Sequence, residues 1–302
     1  MKSSLVSDVD RLISSQAVEW PALARGLEGL RASRMRGESV FGRRVLVRHI
    51  PHRIKSTTAA VDAVSVAQRK CFLCPASLDP EEKGIPFDSE FTLYCNPFPI
   101  LQKHLTIVHA EHRPQRIAGQ FGAFLKIARA LSDSFIIYNG PQCGASAPDH
   151  LHFQSCSREV FPIEHDTLDQ YIPRVFTFRG RDLDAVVARL ESLMAVLSRM
   201  TSAAAEPASE PASEPMINIA AWFSENCWTV LVFPRGKHRP RVYETKELTV
   251  SPATIDLCGV FVVPVPADYE KIRGSDIEQI LDEVTMPDEL FQSVMKNLEG
   301  HQ

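Results

Sequence analysis

Two short stretches of the chain carry residue types that could do chemistry. The first is Asp149-His150-Leu151-His152-Phe153-Gln154, in which two imidazoles and a primary amide alternate with two apolar side chains. On a strand, a period of two sends His150, His152 and Gln154 to one face and Leu151 and Phe153 to the other, whereas on a helix the two imidazoles would point apart. A neutral imidazole keeps a lone pair near pH 7, available to a metal ion or for attack on an electrophile. Just upstream, Gly144-Ala145-Ser146 supplies a tight small-residue loop whose N–H groups could cradle an anion.

The second stretch is Cys71-Phe72-Leu73-Cys74. A Cys-x-x-Cys pair reads as a redox dithiol, as half of a zinc site or as coincidence. A redox motif calls for a strand before it and a helix after it, and Arg69-Lys70 and Pro75-Ala76-Ser77 give neither. Zinc needs two further ligands, and the chain offers histidines for them.

These residues need elements to hold them. Phe135-Ile136-Ile137-Tyr138 is a β-branched and aromatic run followed by the turn residues Asn139-Gly140-Pro141, so residues 135–154 read as a hairpin. Before it, Ile117, Phe121, Phe124, Leu125, Ala128 and Leu131 recur at helical spacing and predict an amphipathic helix packed on a sheet. Residues 91–95 and 105–108 read as strands joined through the Pro-bracketed turn Asn96-Pro97-Phe98-Pro99. Residues 45–57 read as a strand running into a basic loop that carries Arg53, and Leu5, Val9, Leu12 and Ile13 mark an N-terminal packing helix. Val186, Leu190, Leu193 and Leu197 mark a further helix.

Residues 203–215 contain the tandem Ala-Ser-Glu-Pro-Ala-Ser-Glu-Pro, acidic and Pro-rich, which predicts a mobile loop dividing the chain. Beyond it, Trp228-Thr229-Val230-Leu231-Val232-Phe233 runs into Pro234-Arg235-Gly236-Lys237-His238-Arg239-Pro240. That parallels residues 105–108 running into His109-Ala110-Glu111-His112-Arg113-Pro114 and suggests a weak internal repeat. Residues 260–264 read as a buried strand, and Ser275 with Glu278 as the capping box of a final helix with Ile277, Ile280, Leu281 and Val284 inward.

His-Leu-His-Phe-Gln behind a Gly-Ala loop resembles the active-site motif of the histidine-triad superfamily, in the branch of galactose-1-phosphate uridylyltransferases, diadenosine tetraphosphate phosphorylases and GDP-hexose phosphorylases. The Cys-Phe-Leu-Cys pair, the Asn-Pro turn, the pre-helix histidine and the His-x-His-x-Gln strand stand in the order that this branch uses, over residues 45–160. The resemblance implies an α+β fold of two histidine-triad-like halves sharing an antiparallel sheet flanked by helices. It divides the chain into a helical segment over 1–40, a catalytic half over 41–202, a mobile loop over 203–216 and a second half without catalytic histidines over 217–302.

The same resemblance implies roles. His152 would be the nucleophile and Gln154 would stabilise the transition state. Asn96, Asn139, Gly144, Ser146 and Arg53 would bind nucleotide and phosphate, with Arg235, Lys237 and His238 adding positive charge from the second half. A structural Zn2+ would sit on Cys71, Cys74, His112 and His150, with His104 and His109 as rivals for the third place. The implied activity is a nucleotidyltransferase of the phosphorylase type, working on a dinucleoside polyphosphate or an NDP-sugar through a nucleotidyl-histidine. A hexose-1-phosphate uridylyltransferase and a non-catalytic, zinc-stabilised nucleotide-binding protein are the alternatives. A nucleotide hydrolase ranks lower, because such relatives carry a third histidine where Gln154 stands.

Bulk properties agree with this class. The 302 residues suffice for a sizeable core, and 44% hydrophobic with 23% charged residues is ordinary for a globular protein. A net charge of −4 gives no electrostatic argument for nucleic acid or a membrane as partner, and neither is expected. No apolar run approaches a membrane span, and residues 1–16 lack the pattern of a signal peptide. Seven scattered cysteines suit a reducing, cytoplasmic setting. The expected partners are nucleotides with phosphate or a sugar phosphate, bound by a monomer or homodimer.

Overall fold

The computed structural model describes residues 4–158, 161–162, 174–202 and 214–299. Its centre is an eight-stranded antiparallel sheet, and the strand signals read from the sequence supply most of it. In chain order the strands are β1 (Arg34–Val40), β2 (Arg43–His49), β3 (Gly84–Phe87), β4 (Phe91–Cys95), β5 (Leu105–His109), β6 (Ser134–Asn139), β7 (His152–Ser157), β8 (Phe176–Gly180), β9 (Ile217–Ser224), β10 (Cys227–Pro234) and β11 (Val260–Val263). The large sheet runs β3-β4-β5-β7-β6-β9-β10-β8, so the strands from the two sides of the acidic stretch meet where β6 pairs with β9. This is the α+β architecture with a shared antiparallel sheet that the sequence implied.

The period-two reading of the histidine strand holds from His152 onward. Leu151 and Phe153 are fully buried, and Phe153 lies 5.1 Å from Phe124 and 5.2 Å from Phe91, ring centre to ring centre. Phe124 belongs to the helix Phe121–Ala130, which buries Phe121, Phe124, Leu125, Ile127 and Ala128 against the sheet. Each large side chain buried there contributes about 1.5–3 kcal/mol. The opposite face of β7 is thereby left to His152 and Gln154.

Several elements depart from expectation. The N-terminal segment forms two helices, Leu5–Glu19 and Pro21–Arg31, but residues 34–40 are strand, because Phe41 and Gly42 adopt positive φ (50° and 73°) and turn β1 back onto β2. The strand over 260–263 is buried as expected, yet it does not join the large sheet. β11 pairs in parallel with β2, making a second sheet of order β1-β2-β11 that ties the N-terminal region to the C-terminal one. β8, which precedes the acidic stretch, pairs with β10, which follows it.

The helix Gly274–Val284 is capped two residues earlier than expected: Arg273 N–H donates to Asp276 at 2.8 Å, and Glu278 instead accepts from the N–H of Phe41. It is followed by another helix, Asp288–Glu299. Of the loop expected over 203–216, residues 203–213 lie outside the described residues. Residues 214–216 are held: the Glu214 carboxylate accepts from Ile117 N–H at 2.6 Å and from the Tyr138 hydroxyl, and Pro215 is buried.

Candidate active site

His152 begins β7 and is 3% exposed. Its Nδ1 lies 2.8 Å from the main-chain oxygen of His150, an atom that can only accept, so Nδ1 carries the proton and Nε2 carries the lone pair. Nε2 has no hydrogen-bond partner among the described residues, and the ring lines a cavity of about 670 Å³. Burial pushes the imidazole pKa down to about 4, which keeps the ring neutral at physiological pH.

Gln154 stands two residues on and lines the same cavity. Its Oε1 accepts from Nε2–H of His104 at 2.7 Å, while His104 Nδ1 accepts from Ile100 N–H at 3.1 Å. Both ring nitrogens of His104 are thus committed, and the Gln154 amide is fixed with its NH2 group free of protein partners among the described residues. Burial holds the His104 pKa down to about 3, so this bond persists across the physiological range. The sequence offers His104 only as a candidate metal ligand, because the pairing of Thr106 with Gln154 that brings it here is set by sheet register.

Small residues form the facing wall. Gly144, Ala145 and Ser146 line the cavity, and Gly144 has φ of +96°, where a Cβ would meet Ala253 Cβ at 2.6 Å. Asn139 lines it as well, with Oδ1 accepting from Asn218 Nδ2 (2.8 Å), Thr254 N–H (3.0 Å) and Thr254 Oγ1 (2.7 Å). Asn139 and its loop are therefore anchored by the C-terminal region. Asn96 also lines the cavity; its Oδ1 accepts from Phe98 N–H and its Nδ2 donates to Thr106 Oγ1 at 3.1 Å.

The basic residues divide. Arg53 and His238 line the cavity, joined by Arg239, whose Nη2 donates to the carbonyls of Thr57 and Ala59. Arg235 and Lys237 do not. Arg235 is buried behind the wall, where its guanidinium donates to Asn218 Oδ1 and to the carbonyls of Pro252, Lys237, His238 and Val284. Lys237 pairs with Glu283 at 2.8 Å and Glu244 at 3.4 Å. In sequence a phosphate-binding arginine and a carbonyl-capping one look alike.

At its other end the cavity is lined by Trp20, Leu78, Asp79, Glu82 and Tyr94. Sheet register orders this surface. Gln154 pairs with Thr106, Thr106 with Tyr94 and Tyr94 with Gly84, two residues after Glu82. Three strand spacings separate β7 from β3, roughly 14 Å. The N-terminal helices hold this end: Gln16 donates to Glu81 O and accepts from Lys83 N–H, and Trp20 Nε1 donates to Asp79 at 2.9 Å.

Beside the cavity, Cys71, Cys74, His112 and His150 bring their ligand atoms within 4.8 Å of one another. Cys71 Sγ is 3.3 Å and Cys74 Sγ 3.6 Å from His150 Nδ1, and Cys74 Sγ is 3.2 Å from His112 Nδ1. Neighbouring N and S ligands of a tetrahedral metal, at about 2.1 and 2.3 Å, stand about 3.5 Å apart. His150 Nε2–H donates to His109 O at 2.8 Å, which leaves Nδ1 free to ligate. The four donors therefore fit a tetrahedral cation. His150 lies just before β7, which is why it turns to this cluster rather than into the cavity. His104 is committed to Gln154, and the donors gathered here are those of Cys71, Cys74, His112 and His150, with His109 outside the group.

Residues 12–157 match a domain of unknown function, DUF4922, and residues 176–300 match a GDPGP1-like, C-terminal domain. No individually curated protein matches the sequence significantly. Among solved structures, the chain is similar to yeast Ap4A phosphorylase Apa2, with TM-score 0.59 and 16% identity over 88% of this chain and 98% of that one. The complex of the same yeast enzyme with AMP aligns at TM-score 0.61 and 16% identity, covering 93% and 97%. Its complex with Ap4A aligns at 0.58 and 14%, covering 95% and 99%. The chain thus shares the fold of the yeast Ap4A phosphorylase and carries a GDPGP1-like, C-terminal domain over residues 176–300.

Proposed function

We propose that this protein is a nucleotidyltransferase of the phosphorylase type, acting on a dinucleoside polyphosphate or an NDP-sugar. The observation that carries the reading is the bond from His152 Nδ1 to His150 O, which presents a neutral, unprotonated Nε2 to the cavity. In the first step the Nε2 lone pair attacks the α-phosphorus and the bond from phosphorus to the bridging oxygen breaks. The leaving nucleoside polyphosphate or sugar phosphate departs with that electron pair, leaving a nucleotidyl-histidine. In the second step an oxygen of inorganic phosphate attacks the same phosphorus, the N–P bond breaks and its electron pair returns to the imidazole.

The chain's other residues orient and stabilise. The Gln154 amide donates to a non-bridging oxygen as charge develops there, and the 144–146 loop with Asn139 holds the phosphates in line. Arg53, His238 and Arg239 lie toward the departing group. The nucleoside extends across Thr106 and Tyr94, with Asn96 beside the ribose and the base edge toward Glu82. Cys71, Cys74, His112 and His150 would hold a structural Zn2+, which when bound fixes the segment leading into β7. Thiolate ligands of this kind suit a reducing, cytoplasmic setting. The catalytic machinery is carried by the first half, and the half after residue 216 buttresses the phosphate loop.

The test is a panel of α-32P-labelled Ap4A and UDP-, ADP- and GDP-glucose, incubated with the protein, with and without phosphate. The reaction is stopped in alkaline SDS, which preserves a phosphoramidate. Labelled protein, discharged by added phosphate, is the expected result. Nucleotide binding without labelling or turnover by any substrate would return the chain to the non-catalytic binding class.

A further inference from the structure

The strands that carry the nucleophile and the phosphate loop part company at the site itself. β6 and β7 pair from Ser134 opposite Ser157 to Ile137 opposite Gln154, and the same register would set Asn139 opposite His152. That last pair is not made. Gln115 stands in its place: its Oε1 accepts from the N–H of His152 at 2.8 Å, and its Nε2 donates to the carbonyls of His152 (3.0 Å) and Asn139 (2.9 Å). A side-chain amide has the donor and acceptor pattern of a peptide group, so it continues the ladder while holding the two strands a side chain's width apart.

Gln115 is itself fixed on every side. It is fully buried, its N–H donates to Pro148 O at 3.1 Å, and its carbonyl accepts from the Tyr138 hydroxyl at 3.2 Å. None of its own polar atoms contacts the cavity lining except through His152 and Asn139. It also follows closely on His112 and on Arg113, whose carbonyl accepts from Leu151 N–H at 2.7 Å. The consequence for the site is a gap between His152 and the loop that starts at Asn139, and both sides of that gap line the cavity.

We infer that Gln115 is a positioning residue for phosphoryl chemistry, a side-chain wedge that sets the distance between the His152 nucleophile and the phosphate-holding loop. The inference rests on the covalent mechanism proposed above. Closing the wedge would bring Asn139 onto His152 and leave no width for a phosphate; loosening it would let the nucleophile drift. Misplacement of a reacting group by about 1 Å costs on the order of 100-fold in rate.

The experiment compares single-turnover labelling of the full-length wild type, Gln115→Met and Gln115→Glu with the labelled substrate that the wild type accepts. Two quantities are read: the fraction of protein labelled, which counts folded sites, and the labelling rate constant, which reports geometry. Gln115→Met should label to within twofold of the wild-type fraction but 10- to 100-fold more slowly. Gln115→Glu can still accept from His152 N–H but faces two carbonyls with a carboxylate. Its deficit should shrink between pH 8 and pH 6, as the protonated acid regains one donor, and that recovery decides the matter if Gln115→Met does not fold. Labelling of both variants at the wild-type rate constant, with or without loss of the labelled fraction, would make Gln115 merely structural and overturn the inference. A wild type that never labels removes the proposed function itself and this inference with it, so the two failures are distinct.

Discussion

His104 Nε2 donates to Gln154 Oε1 at 2.7 Å, and this bond decides which end of the Gln154 amide meets the substrate. A free glutamine can present either its oxygen or its nitrogen to a phosphate, and an oxygen facing a phosphoryl oxygen would repel it. With its Oε1 held, Gln154 presents hydrogens. Gln154→Ala should therefore lower the rate of nucleotide transfer by ~10²–10³, as loss of an oxyanion-hole donor does. His104→Phe should lose a smaller factor, because the amide then samples both orientations. Equal rates for wild type and Gln154→Ala in quenched-flow measurements would remove Gln154 from the mechanism.

A histidine at position 154 could protonate a leaving group, whereas glutamine cannot exchange protons near pH 7. The intermediate on His152 should accordingly await a phosphate-bearing acceptor. His152→Ala should retain its fold, since Leu151 and Phe153 supply the strand's apolar contacts, and should not label at all. His152→Gly leaves a ring-sized space that added imidazole should partly fill, restoring some turnover. Near-normal turnover by His152→Ala would exclude the nucleotidyl-histidine.

The four-residue cluster predicts one bound zinc per chain, lost in Cys71→Ser and Cys74→Ser. Because the cluster joins residues 71–74, the 112 segment and the approach to β7, its loss should lower the melting temperature more than it alters nucleotide chemistry in the protein that stays folded. Elemental analysis of protein purified without chelators gives the first answer. Zinc-free protein of unchanged stability would leave Cys71 and Cys74 as a plain thiol pair.

Local spacing made the chemistry legible where the chemistry is local. His152 and Gln154 share a face because strands alternate, and the pair of cysteines, His112 and His150 could be aligned to a family motif one by one. What the sequence concealed depends on partners brought from afar. His104 reaches Gln154 through the β5–β7 register, and Gln115 reaches His152 from the segment after β5. Arg235 offers the clearest contrast: beside Lys237 and His238 it reads as an anion binder, yet its donors cap carbonyls that the fold has gathered around it. β11 was legible as a buried strand, but no local signal says that it pairs with β2 at the other end of the chain.

Glu82 carries the last prediction. It lies about three strand spacings from Gln154, near the span from the phosphorus to the base edge in a nucleotide, and its carboxylate, which accepts from the Asp79 N–H, forms no ion pair among the described residues. Burial, with Asp79 close by, pushes its pKa up to about 7. A carboxylate there favours a base edge that presents two adjacent N–H donors, as guanine does, over one that presents acceptors. The raised pKa fixes the sign of the pH dependence. As pH rises through about 7, Glu82 ionises and becomes acceptor-only, so discrimination in favour of a two-donor edge should grow between pH 6 and pH 8. Gln in its place is neutral at every pH and both donates and accepts, so Glu82→Gln should lower the preference about tenfold, or more, and flatten its pH dependence, since a hydrogen bond to a charged group is worth about 1.5–3 kcal/mol and each ~1.4 kcal/mol is a factor of ten. Calorimetric titration of GDP, ADP and UDP into wild type and variant, at both pH values, measures this without any turnover. Identical base preferences in the two proteins would move the base away from Glu82 and reverse the direction in which the nucleoside lies along the cavity.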